Sequence, residues 1–409
     1  MGKGDRAVSE QSRGEGRKSW LQRAYSWDLR KACLELPFPI EEYDHRLRRV
    51  RQLMAEHGLE ALIVCGDPGH TGDVRWLANW QPGVGNAFLF LPLEGDAALI
   101  LHDEVPGYEL CKTWVRQIHR PTRGGGSMLK ARDDLLGLIH AWGVRRRLGL
   151  VGETGLPTPI YLGISRDNPA LEIEDVTPPF LKLRAVKTPL EIDKIREAVR
   201  QSDVAMQAAI DAVREGVTEK QVVGRALEAM FSAGAEDAAF MPLVVAGPRA
   251  AWKHAPPTDR PIGRGEPVYV DLGATYKGYC ADLSRTVLLG EATPEQANAL
   301  AFALAATEAV KDAARPGIPA RRLREVGNEV ADQFGLAGKA WGTGHGIGCK
   351  LREEPLLDPT NELLLEPGMT LAIEPMCVCE LGTFVIEDDI LITEHGSETL
   401  SQTPRRNWI

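Results

Sequence analysis

The sequence predicts an α+β protein built from two domains. Three observations predict it. The chain has 409 residues, and domains run to roughly 100–200 residues each. Between Leu36 and Asn168, helical periodicity alternates with short apolar runs, the pattern of an α/β layer. Beyond Pro189 the helices cluster and strand pairs take over, the segregation expected of α+β rather than of a doubly wound sheet.

Residues 1–35 open with Gly, Ser, Arg, Lys and Glu and little to bury, so they are expected to form a mobile N-terminal extension. The first domain is expected over 36–168. Its opening helix carries Tyr43, Leu47, Val50, Leu53 and Met54 on one face and stops at Gly58. Ala61 to Cys65 reads as a buried strand, Ala87 to Leu91 and Ala97 to Leu101 as a pair, and Leu148 to Gly152 as one more. A linker is expected over 169–188 and a second domain over 189–409. That domain begins with a long helix from Pro189 to about Glu215, then a helix capped by Thr218, and later one from Pro294 to Ala313.

With 48 Lys+Arg against 57 Asp+Glu, the net charge is −9. That balance argues against nucleic acid or an anionic membrane as partner. No apolar run approaches the roughly 18 residues of a spanning helix. The first residues carry charge without an apolar run, unlike a secretory signal. Seven cysteines thinly spread do not make a disulfide scaffold. A reducing, cytoplasmic location is the expectation.

The chemistry lies in two hairpins. Val268 to Ala274 and Tyr279 to Leu289 read as strands joined at Lys277-Gly278. A two-residue turn there puts residue 271 opposite 284 and diagonal to 282; a four-residue loop puts it opposite 282. Either register sets Asp271 and Asp282 on one face. Two such carboxylates repel unless a cation or proton lies between them. Met369 to Pro375 and Phe384 to Asp388 flank a second turn near Glu380-Leu381-Gly382, and Glu374 and Glu387 are mirror-related about it. Four hard oxygen donors suit divalent metals. His345, in Gly342-Thr343-Gly344-His345-Gly346-Ile347-Gly348, is flanked by glycines that let the backbone approach a neighbour closely. An imidazole added to four carboxylates is a ligand set for Mn, Co, Zn or Fe.

At these residues the chain resembles the creatinase/prolidase-like metallopeptidases, which include prolidase, aminopeptidase P and methionine aminopeptidase. The resemblance runs from about Leu36 to Ser401. It rests on Asp271-Leu272-Gly273, on Gly278 to Thr286, on Gly344 to Gly348, on Glu374-Pro375 and on Ile386-Glu387-Asp388, with spacings of 11, 29 and 13 between 271 and 282, 345 and 374, and 374 and 387. It implies a C-terminal pita-bread catalytic domain behind a smaller α/β creatinase-like domain. It also implies two divalent ions, manganese first, with cobalt, zinc or iron as alternatives. Asp271 would bind one ion terminally, Asp282 and Glu387 would bridge, and His345 and Glu374 would complete the second site. The implied reaction is attack on an amide carbonyl by hydroxide held between the ions, with Glu374 moving the proton and His254, 17 residues before Asp271, hydrogen-bonding the oxyanion.

Two positions depart from the family pattern. Arg352 stands where the peptidases usually carry a second His, and Val385 where they usually carry Arg. Arg352 is either a surface charge paired with Glu353 or Glu354, or a guanidinium that receives a substrate carboxylate. Cys377, Cys379 and Cys280 are expected to pack. Trp76 and Trp80, beside Asp73 and Arg75, either anchor the first domain or reach a neighbour's site. The leading reading is an Xaa-Pro dipeptidase or aminopeptidase acting on a short peptide as a homodimer. The alternatives are a relative that handles a small carboxylate-bearing metabolite, and a binding module without catalysis.

Overall fold

A computed structural model describes residues 26–83, 85–102, 107–120, 128–152 and 155–405. The chain divides into two compact units between Phe180 and Leu181, within the helix Thr177–Ala185.

The first unit is a six-stranded mixed sheet in the order β4-β3-β2-β1-β5-β6. Its strands are β1 (Ala61–Gly66), β2 (Ala87–Pro92), β3 (Ala98–Leu101), β4 (Gln117–His119), β5 (Arg147–Val151) and β6 (Glu172–Asp175). β2 pairs antiparallel with β3, as its apolar runs predict, with Ala87 opposite Leu101. The helix Ile40–Glu56 buries Tyr43, Leu47, Val50, Leu53 and Met54, the stripe read from the sequence. Helices Met128–Ala141 and Thr158–Asp167 cover β1–β3 and β5 with Leu135, Ile139, Ile160 and Ile164.

The expected extension lies outside the described residues up to position 25, but 26–35 belong to the folded unit. There the helix Trp27–Lys31 buries Arg30. Its guanidinium donates to the carbonyls of Leu110, Thr113 and Val115 at 2.9–3.0 Å. Cys33 is disulfide-bonded to Cys111, a crosslink that sparse cysteines did not predict. Strand β6 and the whole helix Thr177–Ala185 fall within 169–188, where a linker was expected.

The second unit places helix pairs behind small sheets. Its strands are β7 (Asp237–Ala238), β8 (Leu243–Ala246), β9 (Pro267–Leu272), β10 (Ala274–Tyr276), β11 (Tyr279–Cys280), β12 (Leu283–Leu288), β13 (Ala340–Trp341), β14 (Gly344–Gly346), β15 (Thr370–Ile373), β16 (Met376–Cys379), β17 (Gly382–Val385), β18 (Asp388–Ile392) and β19 (Ser397–Thr399). Helices Pro189–Ala212 and Glu219–Ser232 start at Thr188 and Thr218, each closing a reciprocal capping box with the residue three positions on. Met206, Ile210, Val222 and Met230 pack on Val244, Val268, Val270 and Val287 of the β12-β9-β8 sheet. Helices Pro294–Ala313 and Ala320–Gln333 face β13-β16-β17 and β14-β15-β18-β19 through Phe302, Val310, Leu323 and Val330. Among the described residues, no helix is long and apolar enough to cross a membrane.

Candidate functional site

The first hairpin turns on Lys277-Gly278, whose φ values of 50° and 87° are both left-handed, as a two-residue hairpin turn requires. This selects the shorter of the two open registers. Tyr276 pairs with Tyr279, Thr275 with Cys280, and Asp271 sits opposite Ser284. Asp282 falls between β11 and β12, where its amide donates to Asp389 Oδ2 at 3.0 Å. Both Asp271 and Asp282 are buried.

The second hairpin turns at Glu380-Leu381. Cys379 pairs with Gly382 and Met376 with Val385, and beyond an interruption Ile373 pairs with Asp388 in the same register. That register sets Glu374 across from Glu387, as the mirror relation predicts. At this step the strands part. The Glu374 amide donates to Thr343 O at 3.1 Å, and the Glu387 amide donates to Ser284 O at 2.9 Å. The second contact joins the two hairpins, and buried Arg285 reinforces it by donating to the carbonyls of Ser284 and Glu387 and to Asp388.

His345 lies on β14, next to Ala372 of β15. A Cβ on Gly346 would stand 2.2 Å from the Glu354 carbonyl oxygen, so only glycine lets this strand lie so close. His345 Nδ1 is 3.0 Å from the Gly346 carbonyl, and burial holds the imidazole neutral down to about 4. The proton therefore sits on Nδ1, and Nε2 presents its lone pair. Nε2 is 3.5 Å from Asp282 Oδ2, and ligand atoms of Asp282, His345 and Glu387 all lie within 4.8 Å of one another.

Asp271 and Glu374 join this cluster through charge. Burial pushes Asp271 up to about 6. Glu374 is pushed up to about 7 by its desolvated surroundings and by Asp271. Burial raises Asp282 and Glu387 well above the carboxylate range, and the neighbouring acids add to it. Asp271 Oδ1, Asp282 Oδ1 and Glu387 Oε1 are buried without a hydrogen-bond partner. Carboxyl oxygens buried without partners, on acids two of which meet a bare imidazole nitrogen, are what divalent cations satisfy. The residues present fit such ions.

Several contributors are absent from the sequence reading. Tyr269 donates its hydroxyl to Asp271 Oδ2; it lies two positions away on β9, so strand parity would have put it on the same face. Ser284 donates to Glu387 Oε2 at 2.6 Å. Glu219 is fully buried and holds both ends of the segment leading to His254. It accepts from the Ala246 amide at 2.9 Å and the Thr258 amide at 2.8 Å, and it pairs with Arg249. Nothing local in the sequence signals that contact.

His254 is solvent-accessible and has a left-handed backbone, φ 65°. Desolvation, with Lys253 and Arg352 nearby, holds its imidazole below the ordinary histidine range. Arg352 is exposed, and its charge reaches His254, His345 and Glu374. Neither acid expected to pair with it does so. Glu353 is buried between Arg184 and Lys187, and Glu354 accepts from the Leu356 amide and Asn361 at 3.0 Å. Val385 is core, packed with Val245, Ala250, Tyr269 and Met376. Cys377 and Cys379 pack with Phe384 and Ile386, and burial pushes the Cys377 thiol up to about 12. Trp76 is buried in the first unit, edge-on to Phe180 and under the Arg46 guanidinium. Trp80 is buried there as well.

Comparison with known proteins matches residues 193–394 to the model of metallopeptidase family M24 and residues 46–186 to that of the creatinase/prolidase N-terminal domain. The chain is 28% identical to an Xaa-Pro dipeptidase of Pyrococcus horikoshii over 88% of its length and 98% of that protein's. It is 35% identical to an Xaa-Pro dipeptidase of Pyrococcus furiosus over 57% of this chain and 67% of that one. Among solved structures, the prolidase from Pyrococcus horikoshii superposes with a TM-score of 0.78 at 26% identity, covering 89% of this chain and 100% of that one. Dipeptidase PepE from Mycobacterium ulcerans gives 0.78 at 27%, covering 91% and 98%.

Proposed function

The chain belongs to the M24 metallopeptidases, with their pita-bread catalytic domain behind a creatinase/prolidase N-terminal domain, and from that premise we propose that it is a metal-dependent hydrolase of the Xaa-Pro dipeptidase or aminopeptidase type. The observation that carries the proposal is the cluster of Asp282, Glu387 and His345, in which each acid keeps a buried oxygen without a hydrogen-bond partner. Relatives named Xaa-Pro dipeptidase favour a peptide substrate over the metabolite enzyme and the binding module.

In this reading two divalent ions, manganese first, would be held by Asp271, Asp282, His345, Glu374 and Glu387. When bound, such ions make a water acidic enough to ionise near neutral pH and draw electrons from a carbonyl. The chain's own groups do the rest. Glu374, whose carboxyl is raised to about 7 in the metal-free protein, takes a proton from the water and returns it to the leaving amine. His254 donates to the carbonyl oxygen as charge develops there. Arg352, free of both neighbouring acids, receives the terminal carboxylate of the substrate. A cytoplasmic homodimer is the proposed setting, closed two-fold dimers being the commonest homo-oligomer.

The test is a set of matched dipeptides, Ala-Pro against Ala-Ala and Ala-Pro amide, offered to manganese-loaded protein. Release of alanine from Ala-Pro alone is the expected result. Equal cleavage of Ala-Ala would remove the Xaa-Pro assignment.

A further inference from the structure

Lys253 is a partly buried cation with no acid to pair with among the described residues. Its Nζ lies 3.5 Å from Met376 Sδ and 5.7 Å from the centre of the Trp341 ring. A thioether and a ring face are soft, uncharged partners that leave most of an ammonium's hydrogen-bonding capacity unused. Its charge reaches Asp271, Glu374 and the neighbouring His254. The segment that carries it is fixed at both ends by Glu219. This lysine is therefore held beside the reacting groups rather than trailing into solvent.

Charge accounting shows what it lacks. Four ionised carboxylates would balance two divalent ions, and an ionised water would add one negative charge. Lys253 and Arg352 add two positive charges, which leaves the centre with one. The terminal carboxylate of a dipeptide is matched by its own ammonium, so that positive charge stays uncompensated. Proline has no other acid, so a second carboxylate in an Xaa-Pro dipeptide must come from the side chain of Xaa.

Resting on the Xaa-Pro reading above, we propose that Lys253 is a specificity-determining residue that, with Arg352, selects substrates carrying two carboxylates, namely Asp-Pro and Glu-Pro.

The experiment compares Glu-Pro with its uncharged isostere Gln-Pro, and Asp-Pro with Asn-Pro, in wild type, Lys253→Met and Lys253→Arg. Wild type should favour each acid by about tenfold or more in kcat/KM, chiefly through KM. The preference should collapse towards unity in Lys253→Met and recover in part in Lys253→Arg. A second measurement needs no turnover: calorimetric titration of metal-loaded protein with succinate and with its monoamide. Succinate should bind more tightly to wild type, and the difference should vanish in Lys253→Met. An unchanged Glu-Pro to Gln-Pro ratio or an unchanged succinate advantage in Lys253→Met overturns the proposal; so does a change in metal affinity alone. If no dipeptide is cleaved, the Xaa-Pro reading fails, and the succinate titration still decides whether Lys253 selects a second carboxylate. Lys253→Arg keeps the test decisive should Lys253→Met not fold.

Discussion

The Ser284 hydroxyl donates to Oε2 of Glu387 at 2.6 Å, so a residue of the first hairpin orients an acid of the second. Its backbone carbonyl accepts from the amide of that same glutamate. Ser284→Ala should leave the fold intact and lower metal affinity by roughly 10–100-fold, the usual cost of removing a group that orients a ligand. Competition against a fluorescent chelator would measure it. An unchanged affinity would mean that the backbone contact alone aims Glu387.

Removing a ligand should be more severe. Asp282→Asn or His345→Ala should abolish turnover and lower the metal content below the two equivalents expected of wild type, because each supplies a buried donor atom to one cluster. Elemental analysis of protein purified without chelator gives the count. Fewer than one equivalent in active wild type would sink the dinuclear reading.

Metal binding should stabilise the protein more at high pH than at low. Unfolded carboxylates titrate near 4, whereas Asp271 and Glu374 are raised to about 6 and about 7, with Asp282 and Glu387 also raised. The folded, metal-free protein thus keeps protons that the unfolded chain has released. The stability these groups contribute is present at low pH and is lost as pH rises through the folded values. His345, lowered to about 4, opposes this with one proton against four carboxylates. Thermal melts with and without chelator should therefore diverge steadily from about pH 5 to about pH 8. A constant gap would argue that the acids are already compensated without metal.

Arg352→Ala should raise KM for Ala-Pro by roughly tenfold with little change in kcat, a modest figure because the guanidinium is solvent-exposed. Arg352→Lys should fall between, since a point charge replaces a planar fork. If KM does not move, Arg352 is a surface charge.

Light scattering should report twice the 44.8 kDa chain at assay concentration. A fully active species of 44.8 kDa would contradict the dimer.

What the sequence made legible was local. Lys277-Gly278 and Glu380-Leu381 are turns whose position limits the register, so 271 lies opposite 284 in one of the two registers left open, and 374 falls across from 387 where the strands part. Threonine caps at 188 and 218 mark helix starts through contacts three residues long. The helix Ala320–Gln333 carries a buried stripe of Ala320, Leu323, Gly327 and Val330, yet Pro319 at its start supplies no side-chain cap to mark it. What stayed hidden spans long stretches of chain. The burial of Glu353 between Arg184 and Lys187 joins positions 169 residues apart at its longest, and it takes one of the two neighbouring acids away from Arg352. No periodicity or turn signal encodes such a meeting; it follows only once the sheets have assembled.

The two-ended grip of Glu219 has a consequence for how such an enzyme can change over evolutionary time. The stretch it fixes, 247–257, bears Lys253 and His254, while the carboxylates proposed to hold metal come from 271 onward. Ala250 is locked into the core with Tyr269, Met376 and Val385, but Trp252 and Lys253 can vary between the two fixed posts without emptying that core. Selectivity is free to diversify here faster than the hydrolytic chemistry it serves.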